Sequence, residues 1–580
     1  MAIFAQCRLM PDFSALLRRS DVFGHLGDEA LAALAPELHW FSLPGGRTLF
    51  HRNDPADALY LVVRGSLGVF DGPTERVRLV AAGDSVGEVG LITGESRQHT
   101  ARALRDTELL RLDRVAFEAL VREHPHAMLG VARLAIARLQ ERMRGDQPPD
   151  APRTFALLPA DPEVPARSLA MQLAIELEQW GSCLVIDAEH GAGRGSDWFA
   201  EKESQVRFLI YLDSTGDSHW RQRCLRQADV LLLPAMASRA AHPWPEAMPR
   251  DPALAGHRTR HLILLHAGRQ PSLGAAQRWR SQFSGELQHH HVGGRTDIAR
   301  LARLVSGHAR GLVLAGGGAR GVAHFGALRA LHEAGRTFDA VGGTSIGAII
   351  GAGVAAGWEL EEMVEDFHRH FVEGRPLSDW TVPVVALTRG RRAASMLRHA
   401  FGALAIEDLS MPFFCVSTCL SGEGMVVHRR GPLWLWLRAS SAIPGVLPPV
   451  LNQGRVYVDG ALVDNLPTDV MACDGIAHIT AIDIRAEISL LTTAEEFATP
   501  PWWQLLWRNQ DIRRPGLVST LVRAAMVNSE GPSEHRRERA DLLITPPLEH
   551  IGMLDWKDWQ RAVDAGYVHT MKMLEKQQPL

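Results

Sequence analysis

The 580-residue chain carries 62 Lys and Arg against 66 Asp and Glu, a formal net charge of -4, and 46% hydrophobic residues. That length exceeds what one hydrophobic core supports and points to three or four domains, while the charge balance excludes a general attraction to nucleic acid. The six cysteines, Cys7, Cys183, Cys224, Cys415, Cys419 and Cys473, are too sparse for a disulfide framework and fit a reducing cytosol. Cys415 and Cys419 lack a second pair at zinc spacing, so no metal site is expected.

Residues 1–19 lack the apolar core of a secretory signal and are read as a short helical extension. From 20 to 145 the pattern is short apolar strands broken every eight to twelve residues, closed by a helical stretch, which predicts a β-roll with helices. "GDQPPDAPR" then reads as a linker. Residues 153–308 alternate strand candidates ("TFALLP", "CLVIDA", "RFLIYL", "DVLLLPA", "HLILLHA") with helical stretches, the rhythm of a Rossmann-like α/β layer domain. Its first turn, "LPADPEVPARSLA", has neither the glycines nor the lysine of a phosphate loop, so packing or linkage is the expected role. Residues 309–480 read as a second α/β domain, and 481–580 as its helical extension. The longest weakly polar run, "AVGGTSIGAIIGAGVAAGW", is glycine-rich and is read as strand, turn and helix, not as a membrane span.

"GLVLAGGGARGVAHFGALRAL" predicts strand, glycine turn and helix. Gly316, Gly318 and Gly321 satisfy a dinucleotide pattern, but Asp339 precedes the next strand and does not end it, as a ribose-binding acid should. The same loop of amides at a helix start suits an oxyanion. Gly343-Thr344-Ser345-Ile346-Gly347 matches G-x-S-x-G between strand and helix, where small flanking residues let a sharp turn expose the serine hydroxyl. A serine needs a base, and "RVYVDGALVDNLP" offers Asp459 at a strand end beside Gly460 and Ala461. A full triad would instead need a histidine after the acid, and His478, His535, His550 and His569 follow in chain order.

The ordered trio "GGGARG", "GTSIG" and "DGA" resembles the patatin-like phospholipase domain, an α/β hydrolase fold. That resemblance implies Ser345 as nucleophile, Asp459 as its base without a histidine, and an oxyanion hole from the Gly316-Gly317-Gly318 amides with Arg320 beside it. Ala461 departs from the second glycine of the plant members. No catalytic cofactor is implied. "GDSVGEVGLITGESRQHTARA" resembles the cassette of the cyclic nucleotide-binding domain, which implies Gly87, Glu88, Arg97 and Gln98 as contacts for cAMP or cGMP acting as a regulator. Gln98 departs from the small or hydroxylic residue usual there, and a roll that serves only for docking stays open. Together the domains resemble the bacterial relatives of neuropathy target esterase.

The resemblance implies a lysophospholipid or phospholipid ester as substrate and a cytoplasmic protein with peripheral contact to the inner membrane face. It leaves the oligomeric state unspecified. The clustered Trp502, Trp503 and Trp507, and also Trp434 and Trp436, could rest at a lipid interface or in a core. The alternative function is a cyclic-nucleotide sensor whose hydrolase fold is a non-catalytic scaffold.

Overall fold

The computed structural model describes chiefly residues 22–71, 76–125, 153–244, 259–283, 287–484, 536–552 and 555–577. Its contacts divide the chain into two compact units, one formed mainly by residues 1–265 and the other mainly by 308–580, which also takes in 266–278 and 289–304.

The first unit opens with eight short strands, β1 (Leu38–Leu43), β2 (Thr48–Phe50), β3 (Ala58–Arg64), β4 (Leu67–Phe70), β5 (Arg76–Val80), β6 (Ser85–Val86), β7 (Thr100–Ala103) and β8 (Thr107–Asp113). They form two antiparallel four-stranded sheets in the orders β1-β8-β3-β6 and β2-β7-β4-β5, the expected roll. In β8 the sequence Thr-Glu-Leu-Leu-Arg-Leu-Asp largely alternates buried and part-exposed residues, as a strand with one covered face must. Between β6 and β7 lies a one-and-a-half-turn helix, α1 (Glu88–Thr93).

Five parallel strands follow, β9 (Thr154–Leu157), β10 (Cys183–Asp187), β11 (Phe208–Leu212), β12 (Val230–Met236) and β13 (Thr259–Leu265), in the order β10-β11-β9-β12-β13. They are the five apolar runs read from the sequence, and β9 and β11 are buried throughout, as parallel strands covered on both faces are. In the turn between β9 and helix α2 (Ala166–Leu177), Glu163 pairs with Arg239 and the Asp161 carboxylate accepts from His242 at 2.8 Å. Acids thus occupy the place where a phosphate loop would carry glycines and a lysine.

A buried ionic network joins the roll to this sheet. Arg105, just after β7, donates to Glu203 at 2.6 Å and lies 3.2 Å from Asp229. Ser66 and Thr154 donate to the two Asp229 oxygens at 2.8 and 2.9 Å, and Tyr211 donates to Glu203 at 2.9 Å. Burial alone would raise the Asp229 pKa, but the Arg105 charge and the two hydroxyl donors overcome it and hold the carboxyl below its ordinary value.

The second unit includes residues 289–292 of β14 (Gln288–Val292), from which His289 and His291 both reach the carbonyl of Glu407, at 3.0 and 2.9 Å. Its main sheet contains β15 (Arg310–Leu314), β16 (Ala340–Thr344), β17 (Phe413–Cys419), β18 (Gly424–His428), β19 (Val450–Asn452), β20 (Arg455–Asp459), β21 (His478–Ile482) and β22 (Leu542–Ile544). The order is β19-β20-β17-β16-β15-β21-β22, with β18 also on β17; the pairs from β17 through β22 on that side are parallel and those to β18 and β20 antiparallel. The C-terminal segment, expected to be helical, therefore also supplies an edge strand. Helices α3 (Ala323–Glu333) and α4 (Ile346–Ala356) follow β15 and β16, α5 (Arg391–Phe401) and α6 (Leu433–Ser440) flank β17 and β18, and α7 spans Trp559–Gln577 in the C-terminal segment. Helices α3 and α7 cross so closely at Gly326 that a Cβ there would lie 1.9 Å from the Val563 carbonyl oxygen.

Arg105→Leu is expected to lower stability by about 3–5 kcal/mol, because it leaves Asp229 and Glu203 buried without their cation. Because the Asp229 pKa is depressed on folding, its contribution is present above the ordinary carboxylate value and is lost as pH falls through the lower folded value. Denaturant unfolding should show the wild type and Arg105→Leu converging under acid conditions.

Candidate active site

The site is built at the C-terminal edge of the parallel strands, where β15 and β16 hand over to their helices. Ser345 follows β16 directly and caps α4 with φ 55° and ψ -124°, a left-handed backbone that few side-chain-bearing residues adopt. The turn is tight enough that a Cβ on Gly347 would lie 2.3 Å from the Leu314 carbonyl oxygen. Glycine is needed there for the helix start to pack on β15. The Ser345 amide donates to Ser440 Oγ at 2.9 Å, and Thr344 Oγ1 donates to the Asp464 carbonyl at 2.9 Å, so the elbow is pinned on both sides.

Ser345 Oγ donates to Asp459 Oδ2 at 2.7 Å. Asp459 ends β20, and its other oxygen accepts the Ala461 amide at 2.9 Å, which gives the "DGA" turn a physical purpose. The Asp459 amide donates to the Ala442 carbonyl at 3.0 Å and its carbonyl accepts from Thr418 at 2.9 Å, fixing the backbone from both directions. Both residues are buried, at 6% and 4% exposure. Burial pushes the Asp459 carboxyl up to about 6, although the Ala461 amide and the Ser345 hydroxyl both pull it down. Among the described residues no histidine is hydrogen-bonded to Ser345 or Asp459. His478 and His550 are exposed, and His535 lies outside the described residues.

The glycine loop is less open than the sequence suggests. The Gly316 amide already donates to Asn465 Oδ1 at 3.1 Å, and Asn465 returns a bond to the Gly316 carbonyl at 3.1 Å. The Gly316 amide is therefore already engaged within the fold. Gly317 is extended and Gly318 left-handed at φ 61°, the sequence of conformations that opens the short helix Gly318–Val322. Arg320 is buried with its Nε donating to the Ile551 carbonyl at 2.6 Å, so it braces the C-terminal segment. Asn465 and Ser440 were not singled out from the sequence. Asn465 is the fourth residue after "DGA", in "VDNLP", where two successive polar residues, Asp464 and Asn465, interrupt an apolar stretch and could have flagged it. Asp339 is fully buried and gripped by Arg303 at 2.7 and 3.0 Å, which gives it a structural use in place of a ribose.

In the roll, Arg97 is 3% exposed and stacks its guanidinium 4.3 Å above the Phe50 ring. It donates to the carbonyls of Gly87 at 3.0 Å and Ala58 at 2.6 Å and approaches Asp57 at 3.4 Å, while its Nε has no hydrogen bond. Burial lowers its pKa. Glu88 is equally buried at the start of α1, and Gln98 points outward to Glu95. A buried cation with an unused donor and a buried carboxylate on one cassette suit a phosphate and a ribose hydroxyl respectively.

Trp434 lies under the Arg398 guanidinium at 4.0 Å, and Trp436 stacks on His428 at 3.9 Å, so both pack against the core. Trp502, Trp503 and Trp507 lie outside the described residues.

Residues 312–472 match the profile of the patatin-like phospholipase family, 40–124 that of the cyclic nucleotide-binding domain, and 152–301 that of the neuropathy target esterase family P-loop like domain. Fold and site together define an ester hydrolase of the patatin-like class. An NTE family protein of Mycobacterium tuberculosis is 30% identical over 98% of this chain and 97% of its own length, and the chain belongs to the neuropathy target esterase family. Lysophospholipase NTE1 of Mycosarcoma maydis is 28% identical over 93% of this chain and 34% of its own length. Neuropathy target esterase sws of Drosophila melanogaster is 28% identical over 97% of this chain and 45% of its own length.

The raised Asp459 carboxyl has a consequence for stability. Its folded value lies above its unfolded one, so its contribution is fully present below the unfolded value and is lost as pH rises through about 6. At pH 8 the ionised group is a burden, and Asp459→Asn is expected to stabilise the second unit by up to about 3 kcal/mol. The gain, read as a rise in melting temperature, should vanish under acid conditions.

Proposed function

We propose that the chain hydrolyses the acyl ester of lysophospholipids or phospholipids, with Ser345 and Asp459 as a two-residue catalytic machinery. The observation that carries this reading is the 2.7 Å hydrogen bond from Ser345 Oγ to Asp459 Oδ2 at a strained strand-to-helix turn. Ionised Asp459 takes the hydroxyl proton as Oγ attacks the acyl carbonyl carbon. The amides of Gly317 and Gly318 receive the oxygen that becomes negative in the tetrahedral intermediate. The protonated Asp459 returns its proton to the leaving alcohol, and the same carboxylate then draws a proton from the water that cleaves the acyl-serine. Lipid as substrate is supported by the patatin-like profile and by the relatives named lysophospholipase. The enzyme would act from the cytoplasm at the inner face of the membrane. Contact with the membrane would be peripheral; among the described residues no helix is long and apolar enough to cross a bilayer.

The roll would take a cyclic nucleotide, cAMP or cGMP, with Arg97 holding the phosphate and Glu88 the ribose hydroxyl, and report its binding to the hydrolase. The support is the buried pair on a single cassette and the matching profile.

With lysophosphatidylcholine and a short p-nitrophenyl ester as substrates, Ser345→Ala should abolish turnover and fluorophosphonate labelling. Asp459→Asn should cut kcat by about 10²–10⁴-fold. For the wild type, kcat/KM should fall about tenfold per pH unit below about 6, where Asp459 becomes protonated. Labelling of Ser345→Ala, or a flat profile between pH 5 and 7, would remove the assignment. Arg97→Ala should eliminate calorimetrically detected cAMP binding, and saturating cAMP should change wild-type turnover.

A further inference from the structure

Between the π-helical turn His368–Glu373 and α5, residues 379–389 form a projecting hairpin-like loop. Trp380 and Thr388 form an antiparallel bridge, Thr381 N donates to Leu387 O at 3.0 Å, and Arg389 N donates to Asp379 O at 2.9 Å. At the tip, Val384 N folds back to Val382 O at 2.8 Å across Pro383. The side chains it presents are apolar and open to solvent: Trp380 is 66% exposed, Val382 77%, Val384 85% and Val385 67%. Single exposed apolar residues are ordinary, but four within six positions on one loop are a patch. No other loop among the described residues collects as many.

The surroundings of this loop are basic. Residues 375–398 contain five arginines, Arg375, Arg389, Arg391, Arg392 and Arg398, against one acid, Asp379, in a chain whose net charge is -4. All five are exposed, and the one acid is turned inward, capping α5 through bonds to the amides of Arg391 and Arg392 at 2.8 and 3.3 Å. Apolar tips rimmed by arginine are what an anionic bilayer selects: the tips enter the acyl boundary while the guanidinium groups stay with lipid phosphates.

The loop is also tied to the catalytic residues. Leu387 N donates to Gly445 O at 2.8 Å, and the amide and hydroxyl of Thr388 both donate to Val446 O, at 3.1 and 2.7 Å. Gly445 and Val446 lie in the segment that begins at Ser440, which accepts the Ser345 amide, and contains Ala442, which accepts the Asp459 amide. Loop and dyad thus share one stretch of backbone.

We propose that the Trp380–Val385 loop with its arginine rim is the surface by which this enzyme docks on a bilayer containing anionic lipid. Docking through it brings the segment that positions Ser345 and Asp459 against the substrate surface. This assignment rests on the lipid-ester reading for its purpose, but not for its test. It places lipid contact on residues other than the tryptophan clusters that the sequence left open between a lipid interface and a core.

The test is flotation of the full chain with vesicles of phosphatidylcholine alone and with one quarter phosphatidylglycerol, at low and high salt. Wild type should float with the mixed vesicles and weakly with phosphatidylcholine. A Trp380→Ala, Val384→Ser, Val385→Ser variant with an unchanged melting temperature should lose about tenfold or more of its partition. Arg389→Gln with Arg391→Gln should lose a similar factor on the anionic vesicles only, and high salt should mimic it. As a measurement independent of the triple variant, nitroxide-labelled lipid should quench tryptophan fluorescence in wild type and less so in Trp380→Phe. Undiminished flotation of the triple variant, or quenching unaltered by Trp380→Phe, overturns the proposal. So does a wild-type dimer by light scattering that the triple variant converts to monomer, since the patch is then covered by a second copy. A chain that hydrolyses esters but binds no vesicle loses the docking surface and keeps the hydrolase reading; one that floats through the loop but hydrolyses no ester does the reverse.

Discussion

Ser345 holds a positive φ that costs a side-chain-bearing residue roughly 1–3 kcal/mol, and the site exists only because its surroundings enforce that conformation. The enforcement is distributed. Glycine at 347 lets α4 start hard against the end of β15, Ser440 takes the Ser345 amide, and Thr344 is tied to the backbone after Asp464. A relaxed elbow would carry Oγ away from Asp459, and the hydrogen bond between them depends on the strain being held.

Burial does the second part of the work and sets its cost. Asp459 is enclosed by β17, β20 and the turn that follows, where low polarity raises the carboxyl toward neutrality and makes it a stronger base once ionised. The same enclosure opposes its ionisation and costs stability at neutral pH. Elsewhere the balance is struck differently. Asp229 is as deeply buried, but Arg105, Ser66 and Thr154 surround it, and it remains a carboxylate. Two buried aspartates thus differ by their partners: one has a cation and is structural, the other has only neutral donors and is available for chemistry.

Much of this was legible from short stretches of sequence. The five apolar runs of the middle region became β9 to β13 because a strand covered on both faces needs continuous hydrophobicity. "GTSIG" and "DGA" are readable because a tight turn leaves no room for other residues, which makes local geometry visible as glycine spacing. What misled was also local. Three successive glycines suggest three available amides, yet Asn465, 149 residues away, takes the first. Arg320 looks like part of the anion site by position, yet it serves the Ile551 carbonyl. The tryptophans of "LWLWLR", open between a lipid face and a core in the sequence, pack inward: an arginine covers one and a histidine ring the other.

Sequence alone therefore determined the elements and their chemistry: strand, elbow and helix, the acid at a strand end, a roll carrying a cassette with Glu88 and Arg97, and the basic composition of residues 375–398. The tertiary structure decided which of these groups meet. Ser345 and Asp459 are 114 positions apart, and their contact depends on β17 standing between β16 and β20 in the sheet. The physical reason is one of range. Backbone sterics and apolar periodicity act over a few residues and leave a pattern in the chain, whereas the partner of a buried polar group, and the exposure of an apolar loop, are settled only when distant segments compete for the same space.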